Sequence, residues 1–210
     1  MDVVDNNRII YRRENNVIVL DSIRVRSATE EDLGPIYEVA CSVGHEEKNA
    51  HQGFLMDDYT EKPKYYQSFF KKKIANLEHF YVAEENGAVV GFIMAYKKKD
   101  WLEENPDWIS DIVWSPEFDI DRIDDFIVVD KIAVSAENTS QGIGSMMHNY
   151  LLACLNSKGI RDIFQEVIVS PTPNFASLAF KHKQDFSLAG VRYEDHNKQL
   201  YTDLIYHKSI

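Results

Sequence analysis

Between residues 126 and 155 a strand-like run, a loop with two glycines one residue apart, and a helix-like run follow one another without a break. The β-branched Phe126-Ile127-Val128-Val129-Asp130-Lys131-Ile132-Ala133-Val134 predicts a strand, and Met146-Met147-His148-Asn149-Tyr150-Leu151-Leu152-Ala153-Cys154-Leu155 predicts a helix. Thr139-Ser140-Gln141-Gly142-Ile143-Gly144-Ser145 joins them. Glycines at such a junction let the backbone approach a ligand, and the first helical turn points N–H groups at an anion. The loop lacks the Gly-Lys-Ser/Thr ending of a nucleoside-triphosphate loop and the third glycine of a dinucleotide fingerprint. On the loop alone, a tight turn and a phosphate cradle are both open readings.

At 210 residues and 44% apolar content, one large domain with a substantial core is expected. The formal charge of −11 speaks against a nucleic-acid surface and favours cationic small molecules or basic peptides as partners. Cys41 and Cys154 fall on different expected helices among apolar neighbours, as free thiols do. The opening Met1-Asp2-Val3-Val4-Asp5 is not a signal sequence and no run of about 18 apolar residues occurs, so a cytoplasmic protein without a membrane segment is expected. Seven histidines form no ligand-spaced cluster, and no metal is expected.

Residues 1–22 read as a hairpin-like extension, with Ile9-Ile10-Tyr11 and Val17-Ile18-Val19-Leu20 as its arms. Covering a sheet edge and meeting a partner subunit, as in a homodimer, are the two roles open to it. The main domain, residues 23–210, opens with a strand at Ile23-Arg24-Val25-Arg26, and Thr29 with Asp32 caps a first helix. Pro63 starts a second helix, whose Lys71-Lys72-Lys73 end reads as solvated. Asn86-Gly87 predicts a tight turn between two antiparallel strands. Residues 100–125 form an excursion with ten carboxylates, Trp101, Trp108 and Trp114, and one basic residue, Arg122. Two readings stand for it: an acidic aromatic rim for a cation, or an acidic helical segment with structural tryptophans. A strand at residues 163–169, a helix after Asn174 and a terminal strand pair complete the order, which is α+β: a mixed, three-layer αβα sheet domain.

From about Ile23 to Ile210 this order resembles the GNAT acyltransferase superfamily. The likeness rests on the opening strand and Thr-capped helix, the hairpin before a long excursion, the central strand running into the glycine loop, and Asn174 with Ser177, Phe180 and Phe186. The superfamily signature, Gln or Arg, two variable residues, Gly, one variable residue, then Gly or Ala, falls here on Thr139, Ser140, Gln141, Gly142, Ile143 and Gly144. The resemblance implies an acetyl-coenzyme A site. Backbone amides from Gln141 to Ser145, through Gly142, Ile143 and Gly144, would hold the pyrophosphate. Amides around Ile132, Ala133 and Val134 would hold the pantetheine arm and polarise the thioester, with Asn174 beside the arm. Thr139 departs from the usual Arg or Gln.

The same resemblance places an acid–base residue at Asp130, four residues before Val134, where a carboxylate could take the proton an ammonium must lose. A salt-bridge role at a strand start is the plainer reading of Asp130, and Asp124 and Asp125 are weaker candidates. The superfamily's tyrosine acid falls on Lys181, which either stabilises a thiolate or faces solvent on its helix; Tyr150 and Tyr193 are alternative acids. An N-acetyltransferase acting on a primary amine of a polyamine-like or aminoglycoside-like compound, or of a basic peptide, is the expected function. A non-catalytic acyl-coenzyme A binding or regulatory module and a partner-binding structural domain are the alternatives.

Overall fold

The structure is a computed structural model and describes residues 7–14, 17–196 and 199–210. Its strands are β1 (Asn7–Glu14), β2 (Val17–Ser27), β3 (His79–Glu85), β4 (Ala88–Lys97), β5 (Ile112–Trp114), β6 (Ile127–Val134), β7 (Asp162–Ser170), β8 (Ser187–His196) and β9 (Gln199–Ser209). The helices are α1 (Leu33–Val43), α2 (Pro63–Asn76), α3 (Lys98–Glu104), α4 (Trp108–Asp111), α5 (Ile143–Ser157) and α6 (Phe175–Lys183). Hydrogen-bonded strand order is β1, β2, β3, β4, β6, β7, β9, β8, β5, a mixed sheet flanked by helices in an αβα fold. The only parallel pair with a described register is β6 with β7, joined through α5 as parallel neighbours must be by a crossover. Among the described residues no helix is long and apolar enough to cross a membrane.

The chain divides into two compact units. The first comprises Met1–Glu46, Leu55–Met94 and Lys131–Cys154. In it β2 runs unbroken from Val17 through Ile23 to Ser27, so the far arm of the N-terminal hairpin and the expected opening strand are one element, with β1 as the terminal strand of the order. The turn at Asn15-Asn16 lies outside the described residues. Asn86 and Gly87 have φ of 51° and 88°, the positive pair a two-residue hairpin turn needs. Phe70 on α2 meets Phe80 and Phe92 on β3 and β4, and all three rings are buried. Arg26 forks onto Asp32 with two bonds of 2.7 Å and reaches Glu84 at 2.8 Å, tying β2 to β3 and to the start of α1. Thr29 donates to the same Asp32 carboxylate from its backbone and its hydroxyl, as a cap should. Lys73 is buried, unlike the solvated end expected of that lysine run; its ammonium lies over the Phe69 ring.

The second unit comprises Glu47–Phe54, Ala95–Asp130 and Leu155–Ile210. It contains the acidic excursion, which folds as α3, α4 and the short edge strand β5. The tryptophans do not form a rim. Trp101 and Trp108 are buried, and Trp108 meets Trp101, Trp114, Phe126 and Phe164 edge-on or tilted at 5.6–6.2 Å. The carboxylates at Glu103, Glu104, Asp107, Asp111, Glu117, Asp119 and Asp121 are exposed instead. Rings carry more apolar area than any other side chain, so burying them outweighs displaying them to a cation. Truncation of this anchor, Trp108→Ala, is expected to lower unfolding free energy by about 3–5 kcal/mol in urea denaturation; a loss below about 1 kcal/mol would place the core of this unit elsewhere.

Candidate active site

In the first unit, β6 ends at Val134 and a 3₁₀ turn at Ala136–Asn138 leads into the glycine loop. The turn is fixed at both ends: Ser135 N–H donates to Val90 C=O (2.8 Å), Ala136 N–H to the Ser42 hydroxyl (3.2 Å), and Asn138 Nδ2 to Glu85 Oε2 (2.9 Å). Thr139 spends its hydroxyl locally, donating to Ala136 C=O at 3.4 Å. Ser140 and Gly142 have φ of 65° and 84°, which alternates the direction of successive amides and builds the concave amide arrangement that suits an oxyanion. The first amide closed onto Gly142 C=O is Met146 (3.0 Å), so Ile143, Gly144 and Ser145 form the opening turn of α5. A pyrophosphate fits these residues: backbone donors, a helix N-terminus and no carboxylate within the loop.

Gly91 on β4 faces Ala133 C=O, where an added Cβ would sit 2.9 Å away, so β4 presses closely on β6 at that point. Ala133 is buried, and Ile132 and Val134 are half-buried.

In the second unit, β6 pairs with β7 at only three positions: Ile127 with Ile163, Val128 with Phe164, and Val129 with Gln165. Asp130 is the first residue beyond that register and is half-buried. It shares strand parity with Val128, whose partner Phe164 lies two residues before Glu166, and its charge is felt at the Glu166 carboxyl. Asp124 and Asp125 are exposed, and Asp125 accepts from Phe126 N–H at 2.9 Å, a strand-start role.

Lys181 is 3% exposed. The solvent-facing reading is therefore wrong: the last turn of α6 turns this lysine inward, while His182 and Lys183 beside it face out. Its ammonium donates to Gln165 Oε1 and lies over the rings of Phe180 and Phe186 at 5.1 and 5.4 Å. Burial pushes its pKa down to about 7, because a charged ammonium is poorly solvated there. Of the alternative acids, Tyr193 is exposed, and Tyr150 is raised by burial and meets Tyr81 edge-on. Asn174 caps α6, accepting from Ser177 N–H (3.1 Å), while its Nδ2 donates to Phe54 C=O (3.0 Å). It fixes the position of α6 and of the segment Glu47–Phe54.

A further group of polar side chains in this unit escaped the sequence. Glu166 accepts from Trp108 Nε1 at 2.6 Å and lies 3.5 Å from Arg192. Asp203, opposite Arg192 in the β8–β9 register, is 5% exposed. The available signal was parity: Glu166 shares a strand face with Phe164, and Asp203 with the fully buried Ile205.

A model of the Acetyltransferase (GNAT) family matches residues 45–186, which include the glycine loop, Asn174, Lys181 and Phe186. The chain belongs to the GNAT family. Solved structures agree on the fold. An N-acetyltransferase from Staphylococcus aureus Mu50 is 23% identical, with 89% of this chain and 98% of that one covered at a TM-score of 0.57. The PaiA N-acetyltransferase from Thermoplasma acidophilum, solved in complex with coenzyme A, is 20% identical, with 90% and 99% covered and a TM-score of 0.59. The ribosomal-protein-S18-alanine N-acetyltransferase of Escherichia coli is 16% identical, with 90% and 94% covered and a TM-score of 0.57. No curated protein matches.

The buried lysine makes a stability prediction. Its pKa falls from 10.5 toward about 7 on folding, so the unfolded chain binds the extra proton between those values. The penalty for the buried ammonium is complete below about pH 7 and disappears as pH rises past 10.5. Lys181→Met should therefore melt higher than wild type at pH 6–7, with the gap closing toward pH 10.5, in thermal scans across pH. A gap independent of pH would contradict a burial-shifted lysine.

Proposed function

We propose that this GNAT protein transfers an acetyl group from acetyl-coenzyme A to a primary amine of a cationic small molecule, polyamine-like or aminoglycoside-like, or of a basic peptide. The observation that carries the reading is the glycine loop, with its positive φ at Ser140 and Gly142 between the end of β6 and the start of α5. The coenzyme A complex of the Thermoplasma neighbour supports the choice of donor, and the E. coli neighbour's alanine substrate supports an amine acceptor. The net charge of −11 favours a cation over an anion as acceptor.

Acetyl-coenzyme A supplies an activated acetyl thioester; the chain's residues hold it and manage the protons. The amides of Gln141 to Ser145 bind the pyrophosphate, and those of Ile132 to Val134 bind the pantetheine arm and polarise the carbonyl. Asp130 accepts the proton that an ammonium gives up before its nitrogen can attack. Lys181, with a pKa near neutrality, exchanges a proton readily at pH 7 and occupies the acid's position. Thr139 serves the 3₁₀ turn, so the loss of the usual Arg or Gln side chain leaves the amide cradle to bind the diphosphate.

Release of free thiol from acetyl-coenzyme A with a panel of amines tests the reading. Asp130→Asn is expected to lower kcat/KM by about 100-fold. Wild-type turnover in that variant would remove Asp130 as the base. No thiol release with any amine, together with retained coenzyme A binding, would favour the acyl-coenzyme A binding module.

A further inference from the structure

In the second unit, β7 carries a glutamine where its own pattern asks for an apolar residue. Gln165 shares a strand face with the buried Ile163 and Val167 and is itself 1% exposed. Its backbone is fixed from both sides, opposite Val129 in the β6 register and Tyr206 in the β9 register. A buried amide oxygen is costly unless a donor meets it, and here the donor is the Lys181 ammonium on α6. The dependence is mutual. Among the described residues Gln165 is the one hydrogen-bond partner of that ammonium, and no carboxylate pairs with it.

The chain around the lysine is held as firmly. Phe186 N–H donates to Lys181 C=O (3.0 Å) across Asp185, whose φ of 56° turns the chain back at the end of α6. That return sets the Phe186 ring 5.4 Å from the ammonium, with the Phe180 ring at 5.1 Å. Lys208 of β9 closes the same helix end by donating to Gln184 C=O (2.6 Å). The other titratable groups nearby leave Lys181 alone. His182, Lys183 and Asp185 are exposed, Tyr206 on β9 is a phenol raised by burial, and Glu166 points to the opposite face of β7, where Trp108 and Arg192 hold it. Burial is accordingly what lowers the lysine. A carboxylate in place of the Gln165 amide would fix the amine as a cation, whereas a neutral oxygen accepts from it whether or not it carries the extra proton.

We propose that Gln165 is the positioning residue of the proton donor: its amide oxygen holds the Lys181 amine in one place and, being uncharged, leaves that amine able to give up its proton. Lys181 passes the proton to the sulfur as the thioester C–S bond breaks and its electron pair moves to sulfur, and water then returns a proton to the amine. Gln165 acts through Lys181. The proposal rests on the acetyl-transfer reading with Lys181 as its acid.

Two readouts on the full chain test it: the protonation midpoint of Lys181, followed by the carbon NMR resonance of its Cε that Lys181→Met removes, and the pH profile of thiol release. Wild type is expected to titrate at about 7. Gln165→Glu sets an anion beside the ammonium and favours its charged form, so the midpoint should rise by about one pH unit or more. An acid works only while protonated, so the pH at which kcat falls on the alkaline side should rise with it. Gln165→Met, uncharged and of similar length, should lower kcat by about tenfold or more with KM for acetyl-coenzyme A unchanged. The double variant Gln165→Met/Lys181→Met replaces both polar partners by apolar ones and so keeps the fold. Its kcat should match that of Lys181→Met within about twofold, because Gln165 then has nothing left to position. A midpoint that stays at about 7 in Gln165→Glu would overturn the proposal. So would a midpoint that moves without the alkaline limb of kcat, or a double variant slower than Lys181→Met by the full factor of Gln165→Met. Absence of thiol release from wild type with every amine would remove the acetyl-transfer reading and the proton-donor role with it, while the resonance still shows whether Gln165 governs the amine.

Discussion

The short parallel register between β6 and β7 is the constraint on which the second unit's polar residues depend. Three rungs, ending at Val129 with Gln165, secure β6 in a core of Phe126, Phe164 and Trp108; the strand then continues to Val134 without further β7 partners in that register. A parallel pair normally carries its ladder along the whole overlap, because each unpaired backbone group in a sheet costs free energy unless something else satisfies it. The early stop gives Asp130, the first residue past the ladder, a half-buried position with charged neighbours. It also delivers the chain into the turn, fixed by Ser135, Ala136 and Asn138, from which the glycine loop starts.

Desolvation then sets the chemistry of individual groups. Lys181 and Asp203 have opposite charge types, yet burial moves both toward neutrality, the lysine down and the aspartate up, to about 7 in each case. Burial raises the Glu166 carboxyl as well. Its bond from Trp108 links the polar group to the aromatic core, so the residue that anchors the unit also orients a carboxylate.

Much of the fold was legible because its signals are local. Asn86-Gly87 states its own turn, Pro63 its own helix start, Thr29 and Asp32 their cap, and the β-branched run before Gly142 its own strand. The glycine loop could be placed because strand, loop and helix are contiguous. What stayed hidden depends on distant partners. Lys181 sits in a Lys-His-Lys run that looks solvated, and only Gln165 on β7, with the Phe180 and Phe186 rings, makes its inward rotamer tolerable. The excursion's tryptophans and carboxylates alternate so closely that composition could not say which kind faces water; the rings of Phe126 and Phe164 decide it. Arg192 and Asp203 become neighbours only through the β8–β9 register.

The central claim is that the loop around Gly142 binds the coenzyme A diphosphate through its backbone. It is tested most directly by the melting temperature of the wild type and of Gly142→Val, each with and without coenzyme A. At about 100 times the dissociation constant, wild type should gain about 2.7 kcal/mol of stability and a matching rise in Tm. Gly142→Val, forced to hold a β-branched residue at a φ of 84°, should fold but lose most of that rise. An equal rise in both proteins would contradict the account, and so would none in the wild type.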